Sequence, residues 1–326
     1  MKNTHAVIVS PDVDGSVCNG NIGAFVHHFA RLLKQNGHRV TVLFTGGQEG
    51  KTEESRFAYD AAGIDFVHVR KPYHENVTPP MVARWEFIRR GDMVREHMPP
   101  DAEVVYWQDW QEDGFQATRA RRISAQPNPL FVTVLHGNSA WRREGMKVFT
   151  DTAWDVLSQD FGEHYTTQHS DYVVSPSRYM LNWVSQHGWI LPAAERCEVL
   201  GFPFLPDESS AQMPSASERF RRLVFFGRLE TSKGIELFIE TLQHIHRMHA
   251  TILDEIDEIV LLGKDGQHSY LNSRNIVRMI RNEFQLGITV LSHLDADGTR
   301  RYLSDHAADS LVVLPSLSDN FPYAVI

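Results

Sequence analysis

Residues 223–242 read LVFFGRLETSKGIELFIETL, and this stretch decides the fold. Leu223-Val224-Phe225-Phe226 is an apolar run of the length a buried parallel strand takes. Gly227 breaks the run and lets the backbone turn. After Gly234, Ile235, Phe238, Ile239 and Leu242 recur at spacings of 3, 4 and 7, one face of a helix. Arg228 and Lys233 therefore sit at a strand-to-helix turn. Such a turn offers free backbone N–H groups and the positive end of a helix dipole. Arginine adds a planar fork and lysine a mobile point charge, a combination that suits a diphosphate. The plain alternative is a solvated turn with two neighbouring cations.

Working outward, a length of 326 residues implies about two domains. Hydrophobic content of 42% and charged content of 22% are those of a globular protein. A net charge of −9 argues against general nucleic-acid affinity. Cys18 and Cys197 are the only cysteines and lie far apart, so neither a disulfide framework nor a cysteine-based zinc site follows. A reducing cytosol is the plain reading of that usage. Ala6 to Val9 is too short for a signal-peptide core, and no run approaches a membrane span. The 17 histidines are scattered without compact metal spacing, so no metal is expected.

The N-terminal part opens with a βαβ pattern, which implies a parallel sheet. Ala6 to Val9 is a strand, and Ser10 to Gly23 is a loop of small residues. Ala24, Phe25, Phe29, Leu32 and Leu33 mark a helix face, Gly37 ends the helix, and Arg39 to Phe44 is the second strand. The loop carries Gly20-Asn21-Ile22-Gly23 rather than G-x-G-x-x-G. The second strand ends in Thr45-Gly46-Gly47, without an acidic residue for a ribose. A nicotinamide cofactor is therefore not expected.

Strands are predicted at Phe66 to Val69, Val104 to Trp107, Phe131 to Leu135 and Glu198 to Pro203, with a helix at Met81 to His97. Asp109 follows the strand ending at Trp107, and His136 follows the strand ending at Leu135. Open α/β sheets place ligands at such C-terminal strand edges. Asp109 reads equally as a contact to hydroxyls or as a helix N-cap. His136 reads as a loop histidine or as a site residue, since neutral imidazole donates one hydrogen bond and accepts another. Ser175 and Ser177 are candidate helix caps. Pro206 to Glu218, PDESSAQMPSASE, has linker composition. It divides residues 1–205, read as one domain, from 220–326, with 206–219 as the link. The second domain repeats the alternating pattern: strands at Glu258 to Leu262, Ile288 to Leu291 and Leu311 to Pro315, and helices at Asn275 to Phe284 and Arg300 to Ser304.

GRLETSKGIE at 227–236 resembles the donor-phosphate motif of retaining glycosyltransferases of family 4, group 1, which have the GT-B fold: two Rossmann-like domains facing across a cleft. Asp171 to Ser177 is similar to a strand motif of that family. Ser316 to Ile326, SLSDNFPYAVI, resembles its E-x7-E signature, with Asp319 in place of the first glutamate. The second glutamate would be the next residue. The resemblance covers nearly the whole sequence. It implies that Arg228 and Lys233 hold the diphosphate of a nucleotide-sugar donor, with Gly227 and the Gly263 turn beside it. It places His136 near the donor sugar, Gly20 and Gly23 near the donor phosphates, and Asp109 on the acceptor side. It assigns the donor sugar to Asp319 and the adjoining backbone of Asn320 and Phe321. Glu163 lies where relatives often carry a glutamate, with its role open. Gly201-Phe202-Pro203 departs from the family's Asn-Gly or Asn-Pro turn.

The resemblance implies glycosyl transfer with retention to a glycan, lipid or small-molecule acceptor, without metal or cofactor. Relatives with lipid-linked acceptors leave peripheral contact with the inner face of the membrane open. A GT-B second domain normally continues through further βα units. The second domain is therefore expected to be incomplete, and the protein to be truncated at its C-terminal end. The rival readings are a non-catalytic sugar-nucleotide- or partner-binding module, and a GT-B epimerase or phosphorylase.

Overall fold

The computed structural model describes residues 3–13, 21–46, 49–69, 86–125, 128–148, 153–205, 219–266, 273–284 and 286–323. The protein divides into two compact units. The first comprises Met1–Trp141, Thr150–Pro206 and Asn320–Ile326, and the second Arg142–Phe149 and Asp207–Asp319. Nearly all of the linker stretch, 206–218, lies outside the described residues.

The first unit alternates strands and helices: β1 His5–Ser10, α1 Asn21–Gln35, β2 Arg39–Phe44, α2 Glu49–Ala61, β3 Asp65–His68, α3 Glu86–His97, β4 Val104–Gln108, α4 Phe115–Ser124 and β5 Leu130–Val134. It continues with α5 Ser139–Gly145, whose end groups with the second unit, then α6 Trp154–Gln168, β6 Tyr172–Ser175, α7 Arg178–Gln186 and β7 Cys197–Val199. The strands form one seven-stranded sheet in the order β3-β2-β1-β4-β5-β6-β7, every pair parallel. Every residue of β1 is buried because the sheet has a core on each face. Ile8 packs with Phe25, Val26 and Ala30 of α1, while Val7 and Val9 pack with Val94, Trp107 and Ala117 on the other face. That period of two, covered on both sides, is why the strands read as continuous apolar runs. Gly37, at φ +83°, turns the backbone out of α1 as predicted.

The second unit begins with β8 Arg222–Phe226, a 3₁₀ turn at Thr231–Lys233 and α8 Ile235–Met248. There follow α9 Ala250–Leu253, β9 Glu258–Leu262, α10 Ser273–Phe284, β10 Gly287–Leu291, α11 Ala296–Asp305 and β11 Ser310–Val313. Its four parallel strands run β10-β9-β8-β11. Ile235, Phe238, Ile239 and Leu242 are buried against Phe225, Ile259 and Leu261, and burial of each stabilises the unit by about 1.5–3 kcal/mol.

Some elements are set apart from the sequence expectation. β7 stops at Val199, and 200–205 continues without regular structure while burying Phe202. The helix expected over 81–97 is described from Glu86. Helix α2 escapes the apolar pattern because its buried face is Thr52, Ser55 and Tyr59, while Phe57 is exposed. Among the described residues, no helix is long and apolar enough to cross a membrane.

Candidate functional site

In open parallel sheets, ligands bind at the C-terminal strand edge where the strand order reverses. In the second sheet this place is beside β8, which has β9 on one side and β11 on the other. The loops after β8 and β9 meet through two glycines. Gly227 has φ +148° and Gly263 φ +153°, and a Cβ on Gly263 would lie 2.0 Å from the Gly227 carbonyl oxygen. Only glycine satisfies both demands at position 263. On the other side, the amides of Leu317 and Ser318 donate to the Ser232 carbonyl at 3.0 and 3.3 Å. The loop after β11 is thereby pinned to the 3₁₀ turn.

Each of the two cations has a carboxylate partner, and the pinned loop supplies the one at Lys233. Lys233 Nζ lies 2.6 Å from Asp319 Oδ2, across 86 positions of sequence. Arg228 lies 2.8 Å from Glu230, which also accepts from Ser232 Oγ at 2.7 Å. Both ion pairs thus lie in the loops at the reversal of the strand order.

In the first unit the corresponding edge is built on His136, just beyond β5. Its Nε2 is 2.7 Å from Gln108 Oε1. The Gln108 amide nitrogen donates to the Val9 carbonyl at 3.1 Å, so its oxygen faces the histidine and Nε2 carries the proton. Nδ1 is then an acceptor, buried and without a partner among the described residues. Burial pushes the imidazole pKa down to about 3, so the ring is neutral at physiological pH. Phe25 and Phe202 enclose it, with ring centroids at 4.9 and 4.6 Å.

Two buried carboxylates hold the loop that carries this histidine. Asp109 accepts from the amides of His136 at 2.8 Å and Gly137 at 3.0 Å. Glu163, from α6, accepts from the amides of Gln111 and Ser139 at 2.9 Å each and from Ser139 Oγ at 2.7 Å. Burial pushes Asp109 up to about 7, with the His136 and Gly137 amides opposing the shift. Burial likewise holds Glu163 well above the carboxylate range, against the Ser139 and Gln111 donors. Asp109 therefore uses its carboxylate on the amides of the β5–α5 loop rather than as a helix cap. Ser177 does cap a helix, accepting from the Met180 amide at 3.2 Å.

The remaining expected residues are dispersed. Gly20 lies outside the described residues. The Gly23 amide, at the start of α1, donates to Asp12 Oδ2 at 3.3 Å. Asn320 and Phe321 belong to the first unit, whereas Asp319 belongs to the second. Asn320 Nδ2 donates to the Leu135 and His136 carbonyls at 3.0 and 3.2 Å, and its oxygen accepts from Ser177 Oγ. Phe321 packs on Phe202 at 5.2 Å. Gln108, Phe202 and the task of Glu163 were not singled out in the sequence. The one signal for Phe202 was its place in the Gly201-Phe202-Pro203 departure. Among the described residues, no group of three or more His, Cys, Asp or Glu could hold a metal ion.

A family model described as "Glycosyl transferase 4-like domain" matches residues 20–200, more than half of the sequence. No curated protein matches the sequence significantly. The fold matches many solved structures. The catalytic domain of starch synthase IV from Arabidopsis thaliana, bound to ADP and acarbose, superposes with TM-score 0.57 and 13% identity over 98% of this chain and 79% of that one. The N-terminal domain of Candida albicans trehalose-6-phosphate phosphatase gives TM-score 0.62 and 14% identity over 98% and 78%. A variant of S. aureus TarM in complex with fondaparinux, alpha-GlcNAc-glycerol and UDP gives 0.56 and 9% over 97% and 82%. At these identities the likeness shows the GT-B fold.

Proposed function

The protein belongs to the glycosyl transferase 4-like domain family, and on that premise we propose that it moves a sugar from a nucleoside diphosphate donor to an acceptor hydroxyl, with retention and without a metal. The observation that carries this reading is the Lys233–Asp319 pair, with Arg228 on the same turn, where the strand order reverses in the second sheet. Arg228 and Lys233 neutralise the charge that builds on the leaving diphosphate, as a divalent cation does in other enzymes. Asp319 accepts hydrogen bonds from the sugar hydroxyls. In the first unit His136 is a neutral ring whose Nδ1 is a buried acceptor at the strand edge. Asp109 and Glu163 keep the loop of His136 in place.

No side chain is positioned as a nucleophile in this scheme. The bond from the anomeric carbon to the diphosphate oxygen breaks, and the acceptor oxygen forms its bond on the same face. The acceptor proton passes to the departing diphosphate. The base, the sugar and the acceptor are matters for a substrate panel. UDP-, GDP- and ADP-sugars are offered with glycan, lipid-linked and small-molecule acceptors. The expected result is nucleoside diphosphate release only when an acceptor is present, unchanged by EDTA, with NMR of the product giving the retained anomer. Binding of a nucleotide sugar with no release for any acceptor in the panel would favour a non-catalytic binding module.

A further inference from the structure

We propose that Asp319 makes the donor site discriminate against a nucleoside diphosphate that has lost its sugar, by competing with the diphosphate for Lys233. The inference rests on the donor-site reading above and adds to it a specificity-determining role for one carboxylate. Its basis is the 2.6 Å ion pair between Lys233 Nζ and Asp319 Oδ2. The two side chains are 22% and 15% exposed, so solvent screens the pair only in part. The carboxylate is also tethered. Leu317 and Ser318, immediately before it, are hydrogen-bonded to the Ser232 carbonyl, immediately before Lys233. The backbone beside Asp319 is therefore fixed next to Lys233.

A lysine is a point charge, and this one already has an anion at contact distance. A diphosphate that arrives at Lys233 meets the carboxylate and must displace it or sit beside it. Like charges in one desolvated place oppose each other strongly. An attached sugar changes this balance. Its hydroxyls donate hydrogen bonds to Asp319 and replace the contact that the carboxylate gives up. A bare nucleoside diphosphate brings no such donor, so Asp319 is left either unpaired or back on Lys233. The pair thus penalises the product of transfer more than the donor and favours product release. Arg228 differs in this respect. Its partner Glu230 is buried and also bonded to Ser232, and a guanidinium has five donors to share.

The test is calorimetric titration of the whole protein, and of Asp319→Asn, Asp319→Glu and Lys233→Ala, with UDP, GDP and ADP and with the matching nucleotide glucoses. Asparagine keeps the size and an acceptor oxygen but removes the charge, and glutamate keeps the charge. The nucleoside diphosphate that wild type binds should bind Asp319→Asn about tenfold tighter. The nucleotide sugar should change by less than about threefold, and Asp319→Glu should keep the wild-type ratio. If Asp319→Asn binds the diphosphate no more tightly while Lys233→Ala weakens it, the competition is overturned and the donor site stands. Should Lys233→Ala bind as well as wild type, the donor-site reading falls, and this inference with it.

Discussion

The carboxylates at the two strand edges are held in opposite ways. In the first, Asp109 and Glu163 are held by backbone amides and one hydroxyl. In the second, Glu230 and Asp319 are paired with Arg228 and Lys233. A carboxylate gripped by amides fixes the shape of a loop, because each amide belongs to a backbone that cannot leave alone. A carboxylate on a flexible cation can be exchanged for another anion. The first arrangement suits a rigid wall around His136, and the second suits a ligand that comes and goes.

Removing one carboxylate of each kind puts this contrast at most risk. Glu163→Ala leaves the Gln111 amide, the Ser139 amide and the Ser139 hydroxyl without their acceptor. Each buried orphan costs about 1–3 kcal/mol, so a loss of about 3–9 kcal/mol is expected in urea unfolding. Asp319→Ala removes a partly exposed ion pair and should cost within about 1 kcal/mol. Equal losses would mean that the carboxylates of the two units do the same work.

The next effect is on rate. Arg228→Ala or Lys233→Ala should lower transfer about 100-fold with little change in stability, as loss of a preorganised charge does. The measurement is initial rate of nucleoside diphosphate release, beside a thermal melt of the same preparation. A variant that melts like wild type and turns over like wild type would remove that cation from the proposed chemistry.

These residues were not equally legible in the sequence. Arg228 and Lys233 could be found because a strand, a glycine turn and a helix stripe lie within one continuous stretch. The stripe of α8 and the strand runs are local patterns set by burial, and such patterns survive in sequence. The Lys233–Asp319 contact depends on β11 lying beside β8, an arrangement that no spacing encodes. Glu163 reaches partners 24 and 52 positions away, and its burial leaves no periodic trace. Helix α2 was hidden for the opposite reason, since it buries threonine, serine and tyrosine and exposes Phe57.

A smaller effect separates the two kinds of carboxylate by pH. Asp109 is raised from 3.8 to about 7, so between those values the folded protein keeps a proton that the unfolded one has lost. Stability from this group therefore falls as pH rises toward 7. Glu112, raised from 4.5 to about 7 by burial despite Arg90, and Glu163 act in the same sense. His136, lowered from 6.5 to about 3, acts in the opposite sense: its unfolded form takes up a proton first as pH falls. The carboxyls outnumber it, so wild type should lose stability from about pH 4.5 to 7. Asp109→Asn should flatten that slope by about 1 kcal/mol per pH unit, read from urea midpoints at several pH values. An unchanged slope would show that Asp109 is ionised in the folded protein throughout this range.

At His136 the expected outcome is no change at all, and it tests the wall around the ring directly. The ring lies between Phe25 and Phe202, and Gln108, oriented by the Val9 carbonyl, accepts a hydrogen bond from its Nε2–H. A second proton would have to go on Nδ1, inside the protein, where no partner among the described residues compensates the charge. Burial is the whole cause of the depressed pKa of about 3, so the nitrogen shifts of His136 should stay those of the neutral Nε2–H tautomer from pH 8 down to about 5. Gln108→Ala separates burial from the hydrogen bond. It frees the tautomer but leaves the aromatic enclosure, so both tautomers should be seen while the ring still fails to titrate. A wild-type midpoint near the ordinary histidine value would instead mean that water reaches the loop. The amide-held carboxylates would then enclose nothing, and the contrast between the two units would lose its first half.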